Sequence, residues 1–239
     1  MRQTASVPTD NCLAGLPTTM RVVAPGQDLF SQGEPCGEVF GILSGWVFLY
    51  ELLEDGRRQI LHFALPGDLL GFQADRRASS FGAQALDRVE LCVIARATMI
   101  ELARRKPDLA FHLACLFSND ESLAYDHLTS LGRKTALERI STLLLELFYR
   151  LRRRAPQAGG EMLKIPLTQT HIADALGLTP VHTNRMLGAL RQKGVIDYGN
   201  GVFHILAPDR LFAIAGVDPA TCAWGSMAGF AAQRPFATA

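Results

Sequence analysis

From residue 21 to residue 94 the apolar positions come in short runs, among them VFGILSGWVFLY at 39–50, QILHFAL at 59–65 and VELCVI at 89–94. Turn-forming residues separate them at Gln32-Gly33-Glu34-Pro35, Ser44-Gly45, Glu54-Asp55-Gly56 and Pro66-Gly67-Asp68. Short strands broken this regularly predict an antiparallel barrel or roll, and Asp55-Gly56 between two apolar runs predicts a hairpin. The period then changes. A short helical patch covers 97–105, and after Pro107 a helix is expected over 108–131. Its apolar stripe, Leu109, Leu113, Leu116, Leu123 and Leu131 with Asp120 and His127 interposed, steps by three and four positions like a coiled-coil seam. Polar seam residues can set register, which favours pairing with an identical helix and hence a homodimer; the other arrangement packs the same stripe on the roll. Gly132 is expected to break the chain. A further helix follows over 135–153 with Leu137, Ile140, Leu144, Leu147, Phe148 and Leu151 buried, and 155–161 reads as a loop.

The segment 163–205 holds the most specific pattern. LKIPL at 163–167 reads as a short strand. Thr168 is an N-cap for a helix over 169–176 and Gly177 stops that helix; Thr179-Pro180 then caps a second helix that runs to Lys193 before Gly194. Helix, tight turn and helix make a helix-turn-helix, and VIDY–GNG–VFHI after it reads as a β-wing. On the second helix Thr183, Met186, Leu187 and Leu190 face inward. Val181, Asn184, Arg185, Gly188 and Gln192 face outward, with no carboxylate anywhere between Thr179 and Ile196. Such a face suits a major groove, where phosphates repel acids and Arg can grip guanine O6 and N7 together. His182 stands on the flank. Thr168, Gln169 and Thr170, at the N-terminus of the preceding helix, are candidate phosphate donors.

Composition sharpens this picture. With 48% hydrophobic and 20% charged residues in 239, the chain has material for two small cores. It shows neither a membrane-length apolar run nor a secretory signal, which predicts a cytoplasmic protein without membrane contact. The net charge of +1 conceals a split: residues 133–215 carry twelve Lys or Arg against six Asp or Glu, and the rest of the chain is net acidic. One half is therefore suited to a polyanion. Five cysteines, Cys12, Cys36, Cys92, Cys115 and Cys222, form no C-x-x-C, which argues against a disulfide framework or a zinc ribbon, and no metal site is expected.

These residues resemble the CRP/FNR transcriptional regulators, in particular the FNR/FixK branch, over about residues 21 to 215. The roll part of the resemblance lies in LFSQGEP at 29–35, GILSG at 41–45, LEDGRRQI at 53–60 and FALPGDLLG at 63–71. The second part lies in LGRKTALERI at 131–140, IADALGLT at 172–179 and NRML at 184–187. The resemblance implies an α+β protein: an N-terminal antiparallel β-roll of the cyclic-nucleotide-binding, jelly-roll type that senses an effector, a long dimerisation helix, and a C-terminal winged helix-turn-helix. It implies double-stranded DNA with a palindromic operator as partner, and RNA polymerase as another. Departures narrow the signal. The glutamate of the cyclic-nucleotide cassette is absent, since Gly71-Phe72-Gln73 stands there with Arg77-Ala78-Ser79 downstream, which argues against cAMP. Only Cys12 and Cys92 correspond to the cysteines of the oxygen-sensing members, too few for an iron–sulfur cluster; they remain candidate redox thiols. No motif supports haem on His62, His112 or His127, so no cofactor is required and the effector is unknown. Where the branch reads DNA with Glu-x-x-Ser-Arg, this chain has Val181, Asn184 and Arg185.

The expected division is an arm at 1–20, the effector roll at 21–106, the dimerisation helix at 107–132, the winged helix-turn-helix at 133–216 and a tail at 217–239. The expected function is a sequence-specific DNA-binding regulator. The alternative is a ligand-binding or redox-sensing module whose C-terminal domain contacts protein. Enzyme motifs (G-x-S-x-G, a P-loop, H-E-x-x-H) are absent, so no catalytic residue is expected.

Overall fold

The computed structural model describes residues 18–72, 78–154, 162–199, 202–220, 222 and 224. The chain forms two compact units that divide between Ser118 and Asn119.

In the first unit, strands β1 (Thr19–Val23), β8 (Val89–Ala95), β3 (Glu38–Ser44) and β6 (Leu69–Leu70) form one sheet, in that order. Strands β2 (Asp28–Phe30), β7 (Gly82–Ala85), β4 (Val47–Leu52) and β5 (Arg58–Ala64) form the other. Every pairing is antiparallel, the β-roll expected from the broken apolar runs. β1 begins at Thr19 and pairs from Thr19↔Val93 onward, two residues before the expected start of the roll at residue 21. Asp55-Gly56 lies in the turn joining β4 to β5, with Gly56 at φ 83°, where the left-handed region favours glycine. Gly45 makes the tighter turn between β3 and β4: a Cβ there would meet the Arg88 carbonyl oxygen at 2.5 Å.

Alternation in β3 and β8 buries both faces of one sheet. Phe40, Ile42, Leu91 and Val93 point to the interior with Phe30, Val47, Ala64 and Ala83 of the opposite sheet. Val39, Cys92 and Ile94 point outward, under α1 (Arg96–Arg105) and the start of α2 (Pro107–Arg133), where they meet Met99, Leu109 and Leu113.

The helix α2 is longer than the spacing suggests. Gly132 does not break it; the helix passes through to Arg133, and the change of direction comes at Lys134–Thr135. A glycine inside a helix costs only about 1 kcal/mol, whereas Thr135 opens a new N-terminus. Its amide and hydroxyl both donate to Glu138 Oε2, at 2.7 and 2.9 Å.

In the second unit, α3 (Ala136–Arg154) supplies the central apolar surface through Ile140, Leu144, Leu147 and Phe148. Around it fold β9 (Met162–Lys164), α4 (Gln169–Leu176), α5 (Pro180–Gln192), β10 (Ile196–Gly199), β11 (Val202–Ile205) and α6 (Pro208–Ala215). The wing sheet runs β10-β11-β9, antiparallel throughout. α6, beyond the expected wing, carries its own local signals: Pro208 in its first turn, Leu211, Phe212 and Ala215 on one buried side, and Gly216 at its left-handed end. Part of the expected tail belongs to this core. Trp224 is 1% exposed and stacks on Phe212 at 5.6 Å and against Tyr149 at 5.5 Å.

Candidate nucleic-acid interface

Local chemistry sets both helices of the helix-turn-helix. Thr168 caps α4: its Oγ1 accepts the His171 amide at 3.2 Å, while His171 Nδ1 accepts the Thr168 amide at 3.2 Å, a capping box with histidine in the place usually held by Glu or Gln. Gly177 ends α4 at φ 62°, and Leu178 N reaches back to the Ala173 carbonyl. Thr179 caps α5 by accepting the His182 amide at 3.2 Å, with Pro180 in the first turn.

Two side chains from outside the motif hold the C-terminal end of α4. His127 Nε2 of α2 lies 3.1 Å from the Ala175 carbonyl, and Arg139 of α3 donates Nη1 to the Leu176 carbonyl at 3.2 Å and Nε to Lys134 O at 2.9 Å. These groups satisfy carbonyls that a helix end leaves without partners, and the arginine charge matches the negative end of the helix dipole. Lys134 Nζ donates to Thr142 Oγ1 at 2.9 Å beside them, and burial pushes its ammonium below the ordinary lysine range.

The expected inner face of α5 is buried at Thr183, Leu187 and Leu190, with Met186 half-buried. Val181, Asn184 and Arg185 are exposed on the other side, Val181 at 81%, and Gly188 is half-buried with open space where a Cβ would stand. Arg185 has no ion pair among the described residues. His182 is half-buried on the flank. Of the α4 residues, Thr168 and Thr170 are exposed and Gln169 is half-buried; Gln169 Nε2 donates to Asn184 Oδ1 at 3.0 Å, a link across the motif that helical spacing alone could not reveal.

The stripe expected as the α2 seam meets different surroundings along its length. Leu109 and Leu113 are buried in the roll's outer cluster with Leu116 packed against it, so the N-terminal half of the stripe packs within the chain. Leu123 is buried, His127 is engaged with α4, and Leu131 is half-buried; only Asp120 of the stripe is exposed. The exposed apolar residues are others: Phe111 at 74%, Tyr125 at 60% and Leu128 at 68%, with Phe117 and the small Ala114 and Ala124. At about 100° per residue these fall, with Glu121, within an arc of roughly 140°. Phe111, Ala114, Ser118, Glu121, Tyr125 and Leu128 step 3-4-3-4-3, a second heptad register offset from the first.

Of the candidate thiols, Cys12 lies outside the described residues. Cys92 is buried among Val39, Ile94, Met99 and Leu109. The cassette residues Gln73 and Arg77 also lie outside the described residues. Among those described, no group of three or more His, Cys, Asp or Glu could hold a metal ion, and no helix is long and apolar enough to cross a membrane.

The cyclic nucleotide-binding domain family matches residues 20–106, and the Crp-like helix-turn-helix domain family matches residues 138–214. The nitrogen fixation regulation protein FixK of Bradyrhizobium diazoefficiens is 35% identical over 190 residues, covering 80% of this chain and 79% of that protein. The transcriptional activator protein anr of Pseudomonas aeruginosa is 32% identical over 197 residues, covering 82% and 80%. The solved structure of FixK2 from Bradyrhizobium japonicum superposes with a TM-score of 0.77 at 30% identity, covering 85% of this chain and 100% of that one. Roll and helix-turn-helix thus match in the same order along relatives of similar length, and the chain belongs to the CRP/FNR family of sequence-specific, DNA-binding transcriptional regulators.

Proposed function

We propose that this regulator acts as a homodimer on a palindromic operator, with one α5 in the major groove of each half-site. The observation that carries the reading is the outer face of α5, where Arg185 stands exposed beside Asn184 and Val181 with no carboxylate among them. Arg185 is suited to grip guanine O6 and N7 together, and the Val181 methyls to meet a thymine C5-methyl. Gly188 lets the backbone approach the groove, and His182 can reach its edge. At the N-terminus of α4, Thr168 accepts the His171 amide and keeps its hydroxyl proton for a phosphate oxygen. Thr170 is exposed beside it.

Dimerisation uses the exposed face of α2 rather than the leucine stripe first expected. Large apolar side chains at Phe111, Tyr125 and Leu128 on one helix call for a partner surface, and the heptad step suits a second copy of the same helix. The roll serves as the signal domain. Phe30 stacks on Phe40 at 6.0 Å and meets Phe81 edge-on at 6.1 Å inside it, and Gln73 has the sequence position of the cassette glutamate, which supports a signal other than a cyclic nucleotide; we propose that no cofactor is required. Relatives named as transcriptional activators support RNA polymerase as a further partner, and the cytoplasm as the place of action.

The test is duplex binding by fluorescence anisotropy at two salt concentrations, on an operator selected from random DNA. Arg185→Ala is expected to lose about 1–3 kcal/mol of discrimination per half-site while the dimer and thermal unfolding stay unchanged. Unchanged affinity for the same operator would show that another face reads it.

A further inference from the structure

Resting on the DNA-binding reading above, we infer that Gln169 is a positioning residue that sets which base Asn184 accepts. The Gln169 Nε2 to Asn184 Oδ1 hydrogen bond, 3.0 Å long and spanning fifteen positions, joins the first turn of α4 to the outer face of α5. Asn184 is exposed, and its amide could otherwise turn either edge outward. A carboxamide carries its oxygen and its NH2 on opposite sides of the carbon. With Oδ1 held toward α4 by Gln169, Nδ2 is directed away from it, and the group offered to the groove is a donor.

Donors meet acceptors. In the major groove, G presents N7 and O6, A presents N7 beside its N6 amine, T presents O4, and C presents only the N4 amine. The oriented Asn184 therefore favours G or T, tolerates A through N7, and disfavours C at its position in each half-site. Gln169 acts on this choice without touching the base: in the arrangement of this structure its Nε2 donates, which leaves the Nδ2 edge of Asn184 free.

Substitution at 169 makes the idea testable. In Gln169→Glu the side chain can only accept, so Asn184 must turn Nδ2 inward and present Oδ1 outward. The preference then moves from G or T toward C, by about fivefold to tenfold in relative affinity, the worth of one neutral hydrogen bond. In Gln169→Leu the amide is released and the preference at that position flattens. In an Asn184→Ala background Gln169→Glu no longer moves it.

The experiment selects binding sites from random duplexes with the full-length wild type and the variants, then measures affinities for duplexes differing at single positions. A shift confined to one position per half-site, abolished by Asn184→Ala, is the expected result. Wild-type specificity with the same preference in both Gln169 variants would overturn the coupling alone. So would a shift that persists with Asn184→Ala, since Gln169 would then be reading DNA itself. A wild type that enriches no sequence would overturn the DNA-binding reading and this inference with it.

Discussion

Trp224 shows how much one side chain can draw into a core. It sits in a stretch of small residues that offers no period, yet it is buried against Phe212 and Tyr149. Removing an indole from such a site leaves a cavity the surrounding rings cannot close. Trp224→Ala is expected to cost about 3–5 kcal/mol in urea unfolding, and an unchanged midpoint would mean that the aromatic stack is dispensable. The sequence did not disclose this contact because Trp224 stands twelve positions beyond Phe212, too far for any local pattern. By contrast, the capping threonines 168 and 179 were readable, since a cap joins residues three apart. His127 lies between these cases. Its stripe was legible, but its bond to the Ala175 carbonyl, forty-eight positions away, was not.

Among the elements, α2 is where the sequence allowed two solutions. Its leucine stripe and its Phe111–Leu128 stripe both satisfy helical spacing. The leucine stripe is the more uniformly apolar, and for that reason its N-terminal half is taken up by the roll at Leu109 and Leu113. The two stripes should respond differently to mutation. Leu113→Ala is expected to destabilise the roll unit by about 2–5 kcal/mol while the protein remains a dimer. Leu128→Glu is expected to leave monomer stability near wild type and to weaken the dimer on the order of 100-fold, because each charge would be buried against the partner. Sedimentation at several concentrations distinguishes these outcomes; dissociation by Leu113→Ala with none by Leu128→Glu would restore the leucine stripe as the seam. The wing and the recognition helix needed no such choice, as each has only one apolar side.

For the molecule as a whole, a two-fold protein implies a two-fold site. Half-sites one helical turn apart place both recognition helices on one side of the duplex. Inserting five base pairs between the half-sites turns one of them to the far side and is expected to lower operator affinity by about 100-fold, with non-specific binding untouched. Equal affinity for the spaced operator would mean that the protein reads half-sites singly.

The sequence by itself determined what neighbours along the chain can enforce: strands between turns, capped helices, the acid-free face of α5, and the order of roll, long helix and winged helix-turn-helix. These follow from spacings of two to four residues, over which side-chain periodicity and capping act. Tertiary structure decided which residues of α2 are buried, that Trp224 completes the second core, and that Gln169 meets the amide of Asn184. Each joins groups whose separation along the chain says nothing about their distance in space, and the choice among them is settled by the shape of the surface each element meets.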